Sequence, residues 1–241
     1  NAYTTKAPTS VVFGGYLWVF FKYDVSNDIK IKRLNSSGTW TSPSFSPLST
    51  PTTDGSPSAV IANNKIYLFY KTVGSGSRVV NYVTWSTANG WQGPYSSPIY
   101  TEEGPSAANL TMGGADYTYV YYRYGTGSTN LRYRALVSGS MWTSEVQAFG
   151  HTDSAPSAVV FKDRIHVTGL VGNDIYYGSK SYGESSCTYN PNQETRWVMQ
   201  NGGARAVGLL PDSSYFYGEG LYMLYRGLSQ NYVYFRGKYS E

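Results

Sequence analysis

Apolar positions fall in short runs along this chain, each closed off by Gly, Ser, Asn, Asp or Pro. The longest runs are aromatic: Tyr16–Tyr23, Lys65–Thr72, Tyr117–Tyr124, Arg164–Val171 and Leu221–Gly227. No stretch sustains the period of an amphipathic helix, and runs of this length between turn formers predict strands. A shorter apolar strand precedes each aromatic one. It opens at Ala7-Pro-Thr-Ser-Val-Val, Ser56-Pro-Ser-Ala-Val-Ile, Gly104-Pro-Ser-Ala-Ala-Asn, Ala155-Pro-Ser-Ala-Val-Val and, in degenerate form, Ala204-Arg-Ala-Val-Gly-Leu. A third strand begins at Asp28, Asn81, Asn130, Asp174 and Asn231 and alternates, as in Asn130-Leu-Arg-Tyr-Arg. A fourth centres on Trp40, Trp91 and Trp142, with Trp197 as a displaced equivalent.

This order recurs at a nearly fixed interval. Pro8, Pro57, Pro105 and Pro156 stand 49, 48 and 51 residues apart, and Arg205 follows 49 later. Repeats of that length, each holding four short antiparallel strands, are the sequence signature of a propeller. The expectation is an all-β chain forming one five-bladed β-propeller domain over 1–241, with four antiparallel strands per blade. Its repeats run approximately 7–55, 56–103, 104–154, 155–203 and 204–241 plus 1–6. The fifth repeat stops after Tyr232–Lys238 without a Trp-bearing strand. Asn1–Thr5 is therefore expected to pair beside it, closing the ring and removing two sheet edges. An open solenoid would carry polar end repeats, and Leu221-Tyr-Met-Leu-Tyr is as apolar as the middle ones.

Charge and composition narrow the partners. The chain has 19 basic and 15 acidic residues, a net of +4, with no basic run of five or six. A nucleic-acid binder concentrates its basic residues in a patch or stripe, so no nucleic-acid partner is expected. No apolar stretch approaches the length of a membrane-spanning helix, so no membrane insertion is expected. The single cysteine, Cys187, has no partner for an internal disulfide, and only His151 and His166 are available to a Cys/His metal site. No metal or organic cofactor is implied. The sequons Asn35-Ser-Ser and Asn109-Leu-Thr, with Asn1 in place of Met, fit a secreted or extracellular protein. The oligomeric state is left open.

The blade pattern as a whole resembles the sugar-binding β-propeller lectins, bacterial and fungal, whose blades run close to fifty residues. What carries the resemblance is Pro-Ser-Ala, an aromatic strand ending in Tyr-Lys or Tyr-Arg, an Asn/Asp-led third strand and a Gly-Trp turn. It implies several glycan sites, one per blade or blade junction. The turns Ser37-Gly-Thr-Trp40, Asn89-Gly-Trp91 and Gly139-Ser-Met-Trp142 also resemble the sialidase Asp-box but lack its Asp.

The residues suggest where sugar would sit. Strand two ends in Phe21-Lys22, Tyr70-Lys71, Tyr122-Arg123 and Tyr225-Arg226, while the loop before strand one carries Asp54, Glu102-Glu103 and Asp153. A ring to stack on C–H groups, beside a multi-donor cation and a carboxylate, suits a glycan. The candidate ligand-binding residues are thus Lys22, Asp54, Tyr70, Lys71, Glu103, Tyr122, Arg123, Asp153, Tyr225 and Arg226. The same groups also suit a structural part, with rings filling space between blades and cations pairing at the rim. The fourth repeat reads Val167-Thr-Gly-Leu170 at this place, so at most four sites are expected. The expected function is a multivalent carbohydrate-binding lectin, without catalysis. The alternatives are a propeller that binds a protein partner and a five-bladed glycoside hydrolase. The hydrolase needs two carboxylates flanking the scissile bond, and none of the five first strands carries an acid. Glu184, Cys187 and Glu194, in the least regular stretch, are where such chemistry would be sought.

Overall fold

The computed structural model describes residues 4–73, 79–125, 128–172, 174–181, 183, 196–198, 204–212, 220–227 and 233–239, those from 196 on by backbone alone. These residues form twenty strands whose pairings are all antiparallel. The first blade is β1 (Thr9–Phe13), β2 (Tyr16–Lys22), β3 (Ile29–Leu34) and the short β4 (Trp40–Thr41). The second is β5 (Ser58–Ala62), β6 (Lys65–Lys71), β7 (Val79–Ser86) and the long β8 (Gly90–Tyr100). In the third, β9 (Ser106–Met112), β10 (Ala115–Arg123) and β11 (Asn130–Val137) are followed by an outer strand in two pieces. These are β12 (Met141–Trp142) and β13 (Val146–His151), both paired with β11. The fourth is β14 (Ser157–Phe161), β15 (Arg164–Val171), β16 (Asp174–Ser181) and β17 (Arg196–Val198). A last sheet holds β18 (Ala204–Asp212), β19 (Gly220–Gly227) and β20 (Val233–Tyr239). The first strands β1, β5, β9, β14 and β18 stand side by side in chain order.

The expected five blades of four strands, closed by the amino-terminal strand, are corrected by this topology. Four blades have the full set of four strand positions. The carboxy-terminal sheet has three strands, and no fourth is supplied to it among the described residues. β1 pairs with β2 alone, and residues 4–8 ahead of it form no strand. The physical reason lies in the threonines. The Thr4 hydroxyl donates to the Lys6 carbonyl at 2.8 Å and accepts the Lys6 N–H at 3.3 Å, and the Thr5 hydroxyl donates to Asp24 at 2.8 Å. The local Thr4 bonds, with the Thr5 tie to Asp24, draw the segment away from a ladder. Residues 1–3 lie outside the described residues.

The Pro-Ser-Ala segment joins one blade to the next. The hydroxyl of Thr9 accepts the Ala59 N–H at 3.0 Å, that of Ser58 accepts Ala107 N–H at 2.9 Å, and that of Ser106 accepts Ala158 N–H at 2.9 Å. These three first strands each cap a donor of the next. The loops ahead of these strands are pressed together. A Cβ on Gly104 would lie 2.3 Å from the Ser56 carbonyl oxygen, closer than any side chain can approach.

Packing between blades explains why strand two is apolar throughout. In β6 every residue after Lys65 is buried, because both of its faces meet a neighbouring blade. Trp18, Phe20, Ile29 and Ile31 of the first blade pack on Ile66, Leu68, Tyr70 and Trp91 of the second. Phe69, Val80 and Tyr82 pack on Ala107, Val120, Tyr122 and Leu136 of the third. Tyr121, Leu131 and Tyr133 pack on Ile165 and Val167 of the fourth. Full burial of one such side chain stabilises by about 1.5–3 kcal/mol.

Candidate functional site

The cations that end strand two are tied to protein groups. Lys71 Nζ lies 2.9 Å from Asp54 Oδ1 and donates to the Glu102 carbonyl at 2.6 Å. Arg123 repeats this one blade on: Nη2 lies 3.3 Å from Glu102 Oε2, and Nη1 donates to the Asp153 carbonyl at 3.1 Å. Each cation holds the carboxylate of the loop before its own blade and a carbonyl of the loop that leads to the next. The buried hydroxyls of Thr53, Thr101 and Thr152 brace those loops, donating to the carbonyls of Gly55, Glu103 and Ser154. The first blade has Thr5 in place of the acid, and Lys22 turns to Asp24 at 3.6 Å. The fourth has Leu170 in place of the cation, and Asp153 accepts the Gly172 N–H at 2.7 Å instead.

The rings read as stacking platforms lie elsewhere. Tyr122 is 0% and Tyr70 4% exposed, both between blades. Burial pushes the Tyr70 hydroxyl up to about 12, against a hydrogen bond from Asn81 that lowers it. Of the two acids in the third loop, Glu102 meets Arg123, while Glu103 lends its backbone to the Thr101 turn. Asp54, Glu102 and Asp153 each stand three residues before the proline, a spacing that would have picked Glu102. Tyr225 and Arg226 lie on β19, with side chains outside the described residues, as are Glu184, Cys187 and Glu194 altogether. His166 is a core residue, its Nδ1 2.5 Å from the Tyr177 hydroxyl and its Nε2 3.2 Å from the Phe161 carbonyl. Among the described residues no group of three His, Cys, Asp or Glu side chains stands ready for a metal ion.

A different cluster forms where the second and third blades meet, and sequence reasoning missed it. Glu145, in the link between β12 and β13, accepts hydrogen bonds from the Tyr122 hydroxyl and from Arg132 Nη1. The Arg132 guanidinium lies over the Tyr124 ring, 3.9 Å from its centroid. Arg132 Nε–H is buried with no acceptor among the described residues. Burial first, and the Glu145 carboxylate second, push the Tyr122 hydroxyl well above its ordinary value, so it stays a donor. Tyr124 is 38% exposed, and its backbone pairs with Thr101 next to the open Tyr100. Further along the junction, Trp142 and the half-open Tyr95 both pack on Tyr82. The register puts Tyr122 opposite Arg132, hence on one face. The offset from Arg132 to Glu145, 13 residues across a turn, conceals the pair in the sequence.

These sheets, their meander order and the radial stacking of first strands define a β-propeller. The solved structures it resembles agree. A triple arginine-to-alanine mutant of AofleA from Arthrobotrys oligospora matches with a TM-score of 0.75 at 14% identity, over 99% of this chain and 70% of that one. The GH43_1 enzyme from Xanthomonas citri complexed with xylose matches at 0.56 and 14% identity, over 97% and 87%. An exo-1,5-alpha-L-arabinanase from a bovine ruminal metagenomic library matches at 0.57 and 12% identity, over 95% and 91%. At such identities the likeness shows the fold alone. No family model matches the chain, and no curated protein matches it.

Proposed function

We propose that this propeller binds carbohydrate at the junctions between blades and does not cleave it. The observation that carries the reading is the Tyr122–Glu145–Arg132–Tyr124 cluster. A partly open ring with a guanidinium and a carboxylate beside it provides a C–H stacking face, hydroxyl donors and a hydroxyl acceptor within one site. The paired charges of Arg132 and Glu145 suit a neutral sugar. Propellers of this shape include the xylose-complexed enzyme and the arabinanase, which supports sugar as the ligand class.

Binding is favoured over hydrolysis by the state of the acids. Glycosidases place two carboxylates about 5–9.5 Å apart around the scissile bond. Here Asp54 and Glu102 are held by Lys71 and Arg123, and Glu145 by Arg132. Strand-three positions that face the preceding blade read Lys30, Asn81, Arg132 and Tyr176, so the junctions carry different chemistry. Several unequal sites on one rigid body would add avidity through effective concentration.

The test is a glycan array followed by calorimetry on wild type and Tyr124→Ala. We expect binding of neutral oligosaccharides, weakened about tenfold or more in the variant while the melting transition stays cooperative. An array with no glycan above background would overturn the proposal. So would release of reducing sugar from a polysaccharide panel.

A further inference from the structure

The first blade has an open groove at the place where the third blade has its cluster. Phe21 lies opposite Lys30 and Val19 opposite Lys32, as Tyr122 lies opposite Arg132 and Val120 opposite Arg134. Trp40 pairs with Leu34 as Trp142 pairs with Leu136. Three residues beyond each Trp stand Pro43 and Glu145. The carboxylate that neutralises Arg132 is therefore replaced by a proline ring in the first blade.

The groove also lies open along one edge. After Trp142 the third blade resumes as β13, which covers β11 from Asn130 to Tyr133. In the first blade β4 meets only Arg33 and Leu34, and no strand covers β3 from Lys30 to Lys32 among the described residues. Pro43, Pro47 and Pro51 crowd the stretch that would have to pair there, and proline has no N–H for a ladder. The resulting cavity holds about 330 Å³, with Phe21, Tyr23 and Phe45 among its walls and the hydroxyls of Ser42, Ser44 and Thr50 around it. This is the lower end of the range for ligand pockets, roughly 300–1,000 Å³, and suits one or two sugar rings. The uncovered edge is too short to receive a peptide strand.

Charge decides the class of sugar. Lys30 Nζ is 2.9 Å from Asp28 Oδ2 and 5.9 Å from the Tyr23 ring centroid. Lys32 Nζ donates to the Ser42 hydroxyl at 2.7 Å, a neutral partner. Among the described residues, two ammonium groups against one carboxylate leave the groove with a net charge of +1. We propose that this groove takes an acidic sugar, its carboxylate held by Lys30 and Lys32 and its ring laid against Tyr23. This rests on carbohydrate binding as proposed above and adds a second, charge-selective site to it.

Digalacturonate and its methyl ester separate the two ideas, since the ester removes the negative charge while adding only a methyl group at each carboxyl. Calorimetry at low salt should show the acid bound at least tenfold more tightly than the ester. The double variant Lys30→Met with Lys32→Met should bring the acid down to the ester's affinity. Pro43→Glu should do the same by supplying the missing carboxylate, with its melting transition retained. Equal affinity for acid and ester in wild type would overturn the inference while leaving neutral-sugar binding at Arg132 intact. So would acid binding that survives both variants. Binding of an acidic peptide with the same dependence on Lys30 and Lys32, without digalacturonate binding, would overturn it in favour of a protein ligand.

Discussion

The groove of the first blade and the junction of the second and third blades occupy the same place on the same scaffold. In one, Arg132 is held by Glu145, which also accepts the Tyr122 hydroxyl, beside a covering strand. In the other, Lys30 and Lys32 stand at an uncovered edge, held by Asp28 and a serine hydroxyl. A few positions separate them, chiefly Glu145 against Pro43 and Tyr122 against Phe21. On the binding proposed above, the scaffold sets where a ligand would contact the blade. The residue three places past the Trp, Glu145 against Pro43, sets the charge beside that place, and a covering strand is present in the one and, among the described residues, absent from the other.

The largest expected effect breaks the locked side of this comparison. Glu145→Gln keeps the shape but leaves the Arg132 guanidinium without a counter-charge. Removing one partner of a fully buried pair costs about 3–5 kcal/mol. These side chains keep 27% and 19% of their exposure, so about 2–3 kcal/mol is expected after that allowance. Chemical denaturation should show a lower midpoint with an unchanged slope. A loss below about 1 kcal/mol would mean that the pair behaves as a surface ion pair, and the two sites would then differ little.

Alkali sharpens the contrast through Tyr122. The Tyr122 hydroxyl is raised by burial and then by Glu145, and Tyr70 is raised to about 12 by burial, both from an ordinary 10.0. The folded state therefore holds these protons where the unfolded chain has released them. The stability this confers is complete below about pH 10 and declines as pH rises through about 12, by roughly 1.4 kcal/mol per pH unit for each group. Phe21 has no hydroxyl at the matching place, so that position of the first blade takes no part in this decline. Melting temperatures between pH 9 and pH 12 should fall less steeply in Tyr122→Phe than in wild type. Parallel curves would place the alkaline weakness in other tyrosines.

Much of this architecture was legible in the chain, for reasons that individual residues make plain. Pro8, Pro57, Pro105 and Pro156 mark the entry to four of the five first strands because proline sits just outside the ladder. The aromatic runs gave strand two because burial on both faces removes any polar alternation. The hydroxyls of Thr9, Ser58 and Ser106 had no visible purpose in sequence, since each bonds a residue about fifty positions away. The fourth strand expected for the last sheet does not form among the described residues, because Thr4 bonds Lys6 and Thr5 bonds Asp24, contacts that no strand pattern reveals. The cations of the rim were visible, but the sequence left open whether their partner was sugar or protein. Lys71 and Arg123 meet Asp54 and Glu102. The cluster at Arg132 was hidden because its acid lies beyond a turn and its aromatic partners on another strand.

The smallest expected effect lies at Asp28, on the open side of the comparison. Hydrogen bonds from Lys30 and then Ser26 hold its carboxyl below the ordinary 3.8. A lowered folded value contributes stability that is present above the unfolded value and fades as pH falls through the folded one. The window is therefore below about pH 4, and the gain is small because Lys30 keeps 44% of its side-chain exposure and salt screens such pairs. Asp28→Asn should cost less than about 0.5 kcal/mol at neutral pH, far less than Glu145→Gln, and the difference should vanish in strong acid. Its effect on binding runs the other way. Without the Asp28 carboxylate the groove carries two unopposed ammonium groups, so digalacturonate should bind a few-fold more tightly and its methyl ester unchanged. A variant that weakened the acid would show that Asp28 positions Lys30 for the ligand rather than competing with it for that ligand.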